Sequence, residues 1–153
     1  MTRLNRGERL VLSVLRRLAH GWDPCILATR DLECRGDTAA EVLSSVRLFI
    51  VTVARTARRR MQVAPPGWRE LTADERQILS LVSSAQRQDE SMLEAMATWS
   101  ARLEVRAVLI RTARELAATL TACGMSAQPE VAAGAEHSGT EFKSEYGSFA
   151  TIR

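Results

Sequence analysis

The stretch TAAEVLSSVRLFIVTVARTARRR, residues 38–60, decides the fold. Its opening, Thr38-Ala-Ala-Glu41, fits a capping box, in which a hydroxyl takes an orphan amide of the first helical turn and a carboxylate reaches back to another. Val42, Val46, Phe49, Ile50, Val53, Ala54 and Ala57 then recur at helical spacing and keep one face apolar. Arg58, Arg59 and Arg60 follow at the C-terminal end, where cations complement the helix dipole. Pro65-Pro66-Gly67 enforces a connection. A helix with one apolar face must bury it, so the flanking sequence is read for its partners.

Upstream, a first helix is expected from Arg6 to His20. Val11, Val14, Leu15 and Leu18 form its stripe, and Arg9, Ser13, Arg16, Arg17 and His20 take the other face. Gly21 suits the residue after the cap, and Pro24 bars continuation. Residues 21–37 are irregular, with a short helix expected from Pro24 to Leu32 behind Asp23. Downstream, Thr72-Ala-Asp-Glu75 is a second capping box before the stripe Ile78, Leu79, Val82 and Ala85. The polar run at 86–91 predicts a break, with Asp89 capping a fourth helix that carries Leu93, Met96, Ala97 and Trp99.

A fifth helix is expected from Ala101 to Ala122. It shows two apolar stripes, one through Val105, Val108, Leu109, Leu116 and Leu120, the other through Leu103, Ala107, Ile110, Ala113 and Ala117. Contacts on two sides would make it the central helix, with Gly124 ending it. The expectation is therefore an all-α bundle of four to five helices over residues 1–125, with a central C-terminal helix. Residues 126–153 turn Gly-, Ser-, Thr- and Glu-rich and read as a flexible tail. Phe142, Tyr146, Phe149 and Ile152 interrupt that polarity. Isolated apolar residues of this kind mark a partner-binding motif, or one that clips back onto its own domain.

At 153 residues the chain has the length of one domain, and 46% hydrophobic residues supply a core without metals or disulfides. Cys25, Cys34 and Cys123 are an odd number without paired spacing, which fits a reducing compartment and places the chain in the cytoplasm. The longest strongly apolar stretch, Leu48 to Ala54, is far short of the ~20 residues of a membrane span. Chemistry is thinly provided for. His20 and His137 are the only histidines, so Cys25 or Cys34 as nucleophile would have His20 alone as its base. His20, Cys25 and Cys34 lack the tight Cys pair of a zinc site. Asp74–Glu75 and Asp89–Glu90 sit near helix N-termini, where acids belong for capping reasons. No Gly-rich phosphate loop is present. The sequence thus predicts no catalytic residue, cofactor or metal.

Leu71-Thr-Ala-Asp-Glu-Arg-Gln-Ile-Leu-Ser-Leu-Val82 resembles the opening helix of the LuxR-type helix-turn-helix domain, which begins with a similar Leu-Thr-x-x-Glu-x-x-x-Leu-x-Leu-Val. The resemblance covers twelve residues and implies DNA binding. The chain then departs from the pattern. Ser83 and Ala85 stand at the family's small residue and Gly, Ser91, Met92 and Ala95 at its next scaffold positions, and no basic, β-branched recognition helix follows. No DNA-contacting residue carries over.

Charge gives the remaining signal. Twenty of the 21 basic residues are Arg, and only Lys143 is Lys. Residues 1–60 hold twelve Arg against six acids, a local net of +6 in a chain whose net charge is +3. Arg9, Arg16 and Arg17 on the first helix, with Arg55, Arg58, Arg59 and Arg60 around the end of the second, would form one anion- or nucleic-acid-binding surface if the two helices pack as neighbours. Two functional expectations result. The first is a non-enzymatic regulatory or interaction protein of the bacterial cytoplasm, binding a protein partner or a second copy of itself through helix faces and the tail. The second is a nucleic-acid-binding protein using the Arg surface.

Overall fold

The computed structural model describes residues 4–22, 37–125 and 150–152. Their helices are α1 (Arg6–Ala19), α2 (Asp37–Thr56), α3 (Ala73–Gln86), α4 (Glu90–Ser100) and α5 (Arg106–Ala122). A 3-10 turn over Leu103–Val105 precedes α5. Two short strands, β1 (Met61–Val63) and β2 (Ala150–Ile152), pair antiparallel, with Met61 opposite Ile152, Gln62 opposite Thr151 and Val63 opposite Ala150. The molecule is an all-α bundle carrying one small ribbon. Among the described residues no helix is long and apolar enough to cross a membrane.

Local sequence sets most helix ends. Asn5 and Glu8 form a reciprocal capping box at the start of α1, and Thr72 and Glu75 form another at the start of α3. The Asp89 side chain accepts from the Met92 amide and starts α4. Helix α1 closes with Gly21 in the left-handed region (φ 73°), so that the Trp22 amide donates to Arg17 O at 2.8 Å and the Gly21 amide to Leu18 O at 3.2 Å. Helix α3 closes the same way, but with Gln88 at φ 55°, a conformation that crowds its Cβ. The Asp89 amide then donates to Ser84 O while its carboxylate caps α4, so one residue ends a helix and begins the next.

One apolar cluster joins all five helices and β1. Val11, Leu15, Val42, Phe49, Ile78, Leu81, Leu93, Leu109 and Leu116 lie at its centre. Helix α5 packs on α2, α3 and α4, and α3 also meets α1 and β1. The buried face of α5, through Leu109, Ala113, Leu116, Ala117 and Leu120, draws on both stripes read there. Leu103 and Ala107 face solvent.

Three expected boundaries move, and one strand is added. Helix α2 already includes Asp37, so Thr38 lies inside its first turn and does not cap it. At the other end α2 stops at Thr56, not at Arg60. The Ala57 backbone pairs with Ala101, and the Arg58 amide donates to Ser100 O at 3.1 Å, so a neighbouring segment replaces helical partners. The same pairing holds residues 101–102 extended and delays α5 until Arg106. Met61–Val63, read as connection, forms β1. The short helix expected at Pro24–Leu32 falls outside the described residues.

Gly7 permits the closest backbone approach, since a Cβ there would lie 2.9 Å from the Met125 carbonyl oxygen, a backbone atom. Gly7→Ala is expected to cost about 1–3 kcal/mol in urea melts by overpacking. Gln88→Gly should stabilise by about 1 kcal/mol by relieving the left-handed residue. Opposite signs for these two changes check the two backbone arguments together.

Candidate functional site

Helices α1 and α2 do pack as neighbours, but the expected arginines do not share one free surface. Arg16 is turned inward and is only 5% exposed. Its Nε donates to Glu75 Oε1 at 2.8 Å and its Nη2 to Glu75 Oε2 at 2.9 Å. Nη1 donates to Trp68 O at 2.5 Å, and Nη2 also to Glu70 O at 2.7 Å. Four of the five guanidinium N–H groups are thereby engaged inside the protein.

Glu75 is fully buried, and its carboxylate is saturated. Besides Arg16 it accepts from the Thr72 amide at 2.9 Å and from the Ala64 amide at 3.0 Å. The residue read as half of a capping box therefore also binds α1 and the residue after β1. Asp74 acts in parallel. It takes a two-pronged contact from Arg59 and accepts from the Gln62 amide at 2.7 Å. Asp74 raises the Arg59 pKa above its ordinary value, first through the side-chain hydrogen bond and then through Coulomb attraction. Arg58 donates from Nε to Ala101 O at 2.8 Å.

Arg9, Arg55, Arg58, Arg59 and Arg60 are exposed, and Arg17 is half-buried. Arg9 donates to Leu4 O at 3.1 Å. Arg9, Leu12, Ser13 and Arg17 line a surface groove of about 190 Å³ with Arg16, Pro66 and Gly67. Pro65–Trp68 is a turn with the Trp68 amide donating to Pro65 O at 3.2 Å and Gly67 at φ 86°, as a type II turn with Pro second requires. Arg55 lies elsewhere, on the outer face of α2.

That outer face carries a different signal, one the sequence reading did not single out. Leu48 and Val51, three residues apart, are exposed on α2. The Arg102 amide reaches Thr56 O at 3.4 Å, which sets Leu103 beside the last turn of α2. Leu103 is 71% exposed and Trp99, just before it in the chain, is 78% exposed. Val108 on α5 is exposed as well. Helical periodicity alone did not separate these residues from core positions, because Val108 and Leu103 fit stripes as well as Leu109 does.

Of the tail residues, Ile152 lies in β2 opposite Met61. Phe142, Tyr146 and Phe149 lie outside the described residues, as do Cys25, Cys34 and His137. His20 is the C-cap of α1. Among the described residues no three His, Cys, Asp or Glu side chains are placed to hold a metal ion.

Comparison with known proteins finds no matching family model, no matching curated protein and no matching solved structure.

Glu75→Gln would leave the Arg16 charge buried without its counter-ion. An expected loss of about 3–5 kcal/mol in denaturant melts follows. Thr72→Ala, which removes the hydroxyl that caps α3 and donates to Gln62 O, should cost about 1–2 kcal/mol. Equal losses in the two variants would show that the ion pair adds nothing to the cap.

Proposed function

We propose that the chain is a non-enzymatic interaction protein of the bacterial cytoplasm, binding a protein partner through exposed helix faces with help from its C-terminal segment. The observation that carries this reading is the contrast between its charges and its apolar surface. Arg16 is buried and paired, while Arg58 and Arg59, though exposed, are hydrogen-bonded to Ala101 O and Asp74. Large apolar side chains at Leu48 and Val51 on α2, at Trp99 and Leu103, and at Val108 on α5 are left to solvent. Clustered exposed apolar residues mark interaction sites, and Trp is among the residues that dominate binding energy.

The nucleic-acid reading rests on the groove between α1 and the Pro66–Gly67 turn, where Arg9 and Arg17 remain at the rim. Two rim arginines are a small footprint for phosphate-driven binding.

Leu48→Ser and Trp99→Ser should change stability by no more than about 0.5 kcal/mol, since both side chains are exposed. Each should lower capture of the native partner at least tenfold in a pull-down from the source cells. Undiminished capture by both variants would overturn the reading. Duplex DNA binding that weakens steeply with salt and is lost in R9A/R17A would install the nucleic-acid reading in its place.

A further inference from the structure

Helix α2 has two faces with different fates. Val42, Val46, Phe49, Ile50 and Val53 turn into the core. On the opposite side Glu41, Ser44, Leu48, Val51 and Arg55 are all exposed. Their spacing alternates between three and four residues, so they form one stripe about 21 Å long. The stripe has an order. An acid stands at its N-terminal end, a base at its C-terminal end, and the two large apolar side chains lie between, 55% and 40% exposed. The capping role read for Glu41 does not apply, because Thr38 lies inside α2. Arg55 is apart from the α1 groove. Among the described residues neither Glu41 nor Arg55 has a hydrogen-bond or ion-pair partner for its side chain.

Leu48 is the midpoint of this stripe. Glu41 lies seven residues before it and Arg55 seven after, each about 10 Å away along the helix. A stripe so arranged is complementary to itself when turned end for end. A two-fold axis through Leu48, perpendicular to α2, runs the α2 of a second copy antiparallel to the first. Leu48 then meets Leu48, with a Val51 on either side. Glu41 of each copy stands opposite Arg55 of the other. A parallel pair would instead set Glu41 against Glu41 and Arg55 against Arg55. Leu103, beside the last turn of α2, widens the apolar surface.

We propose that the outer stripe of α2 docks a second copy of this chain, antiparallel across a two-fold axis at Leu48. This rests on the interaction-protein reading and names the partner at that face. Leu48 and Val51 supply the apolar contact. The two Glu41–Arg55 pairs set direction and register, which is what charges at the rim of an interface do best.

The test follows the purified full chain by analytical ultracentrifugation from micromolar to millimolar concentration at low salt. Its mass should rise from 16.9 kDa toward twice that value. Glu41→Arg and Arg55→Glu each set like charges opposite one another at both ends, so each alone should weaken the dimer about tenfold. Mixed in equal amounts, the two variants should pair again, because each meets opposite charge at both ends. The double change E41R/R55E should dimerise by itself. Leu48→Glu should stay monomeric. A mass of 16.9 kDa at every concentration overturns the proposal. So does doubling that survives Leu48→Glu, or single charge variants that dimerise unimpaired or stay apart when mixed. The changed side chains are exposed, so the variants should melt like the unaltered chain. If Leu48→Glu fails to fold, the charge variants alone decide. A monomeric chain whose Leu48→Ser form still loses its captured partner overturns the second copy and leaves the interaction-protein reading standing. A monomeric chain with undiminished capture by both serine variants overturns both.

Discussion

The Glu75 carboxylate organises one whole side of this protein. Its two oxygens accept from Arg16 on α1, from the amide that follows β1 and from the Thr72 amide at the head of α3. Arg16 in turn donates to the carbonyls of Trp68 and Glu70, which pins the connection between β1 and α3. A buried ion pair is often close to neutral for stability, because desolvation cancels attraction. Here the benefit is geometric. Three segments are brought to one point, and the remaining lone pairs are filled, so the pair does not leave an orphaned charge. Removing either partner would expose the full desolvation cost.

The caps and stops at Thr72, Asp89 and Gly21 were legible because they are local, whereas the Thr38 box does not cap α2 and the Asn5–Glu8 box was not read. Asp89 and Gly21 each act within a few residues, and their side chains or backbone freedom leave few alternatives. The Thr72–Glu75 box was legible for the same reason, but only as a box. Its second role depends on Arg16, 59 residues earlier, and no local pattern links the two. Arg16 sits four residues after buried Leu12, at the edge of a stripe broader than the one read. That is the physical reason an arginine assigned to a solvated face turned inward. The β1 strand was illegible for a related reason. Three residues carry no periodicity, and their pairing partners are the head of α3 and a segment nearly ninety residues away.

The fate of the arginines changes what the charge asymmetry means. A surplus of Arg in residues 1–60 resembles a surface built for anions. In the folded chain Arg16, Arg58 and Arg59 serve as struts, using the planar fork that Lys lacks to reach two oxygens or a carbonyl at once. The basic bias of this half is thus partly structural. The surface left over is better described by what remains apolar, along α2 and the crossing after α4, than by what remains charged.

The two edges of β1 are held by different means. The α3 edge is close in sequence and charge-reinforced, through Asp74 and Glu75. The β2 edge is closed by residues from the far end of the chain, which also pack on α1. Met61 and Val63 lie in the core between them. A strand of three residues carries too few ladder bonds to hold itself, so its position rests on both edges and on its buried side chains together.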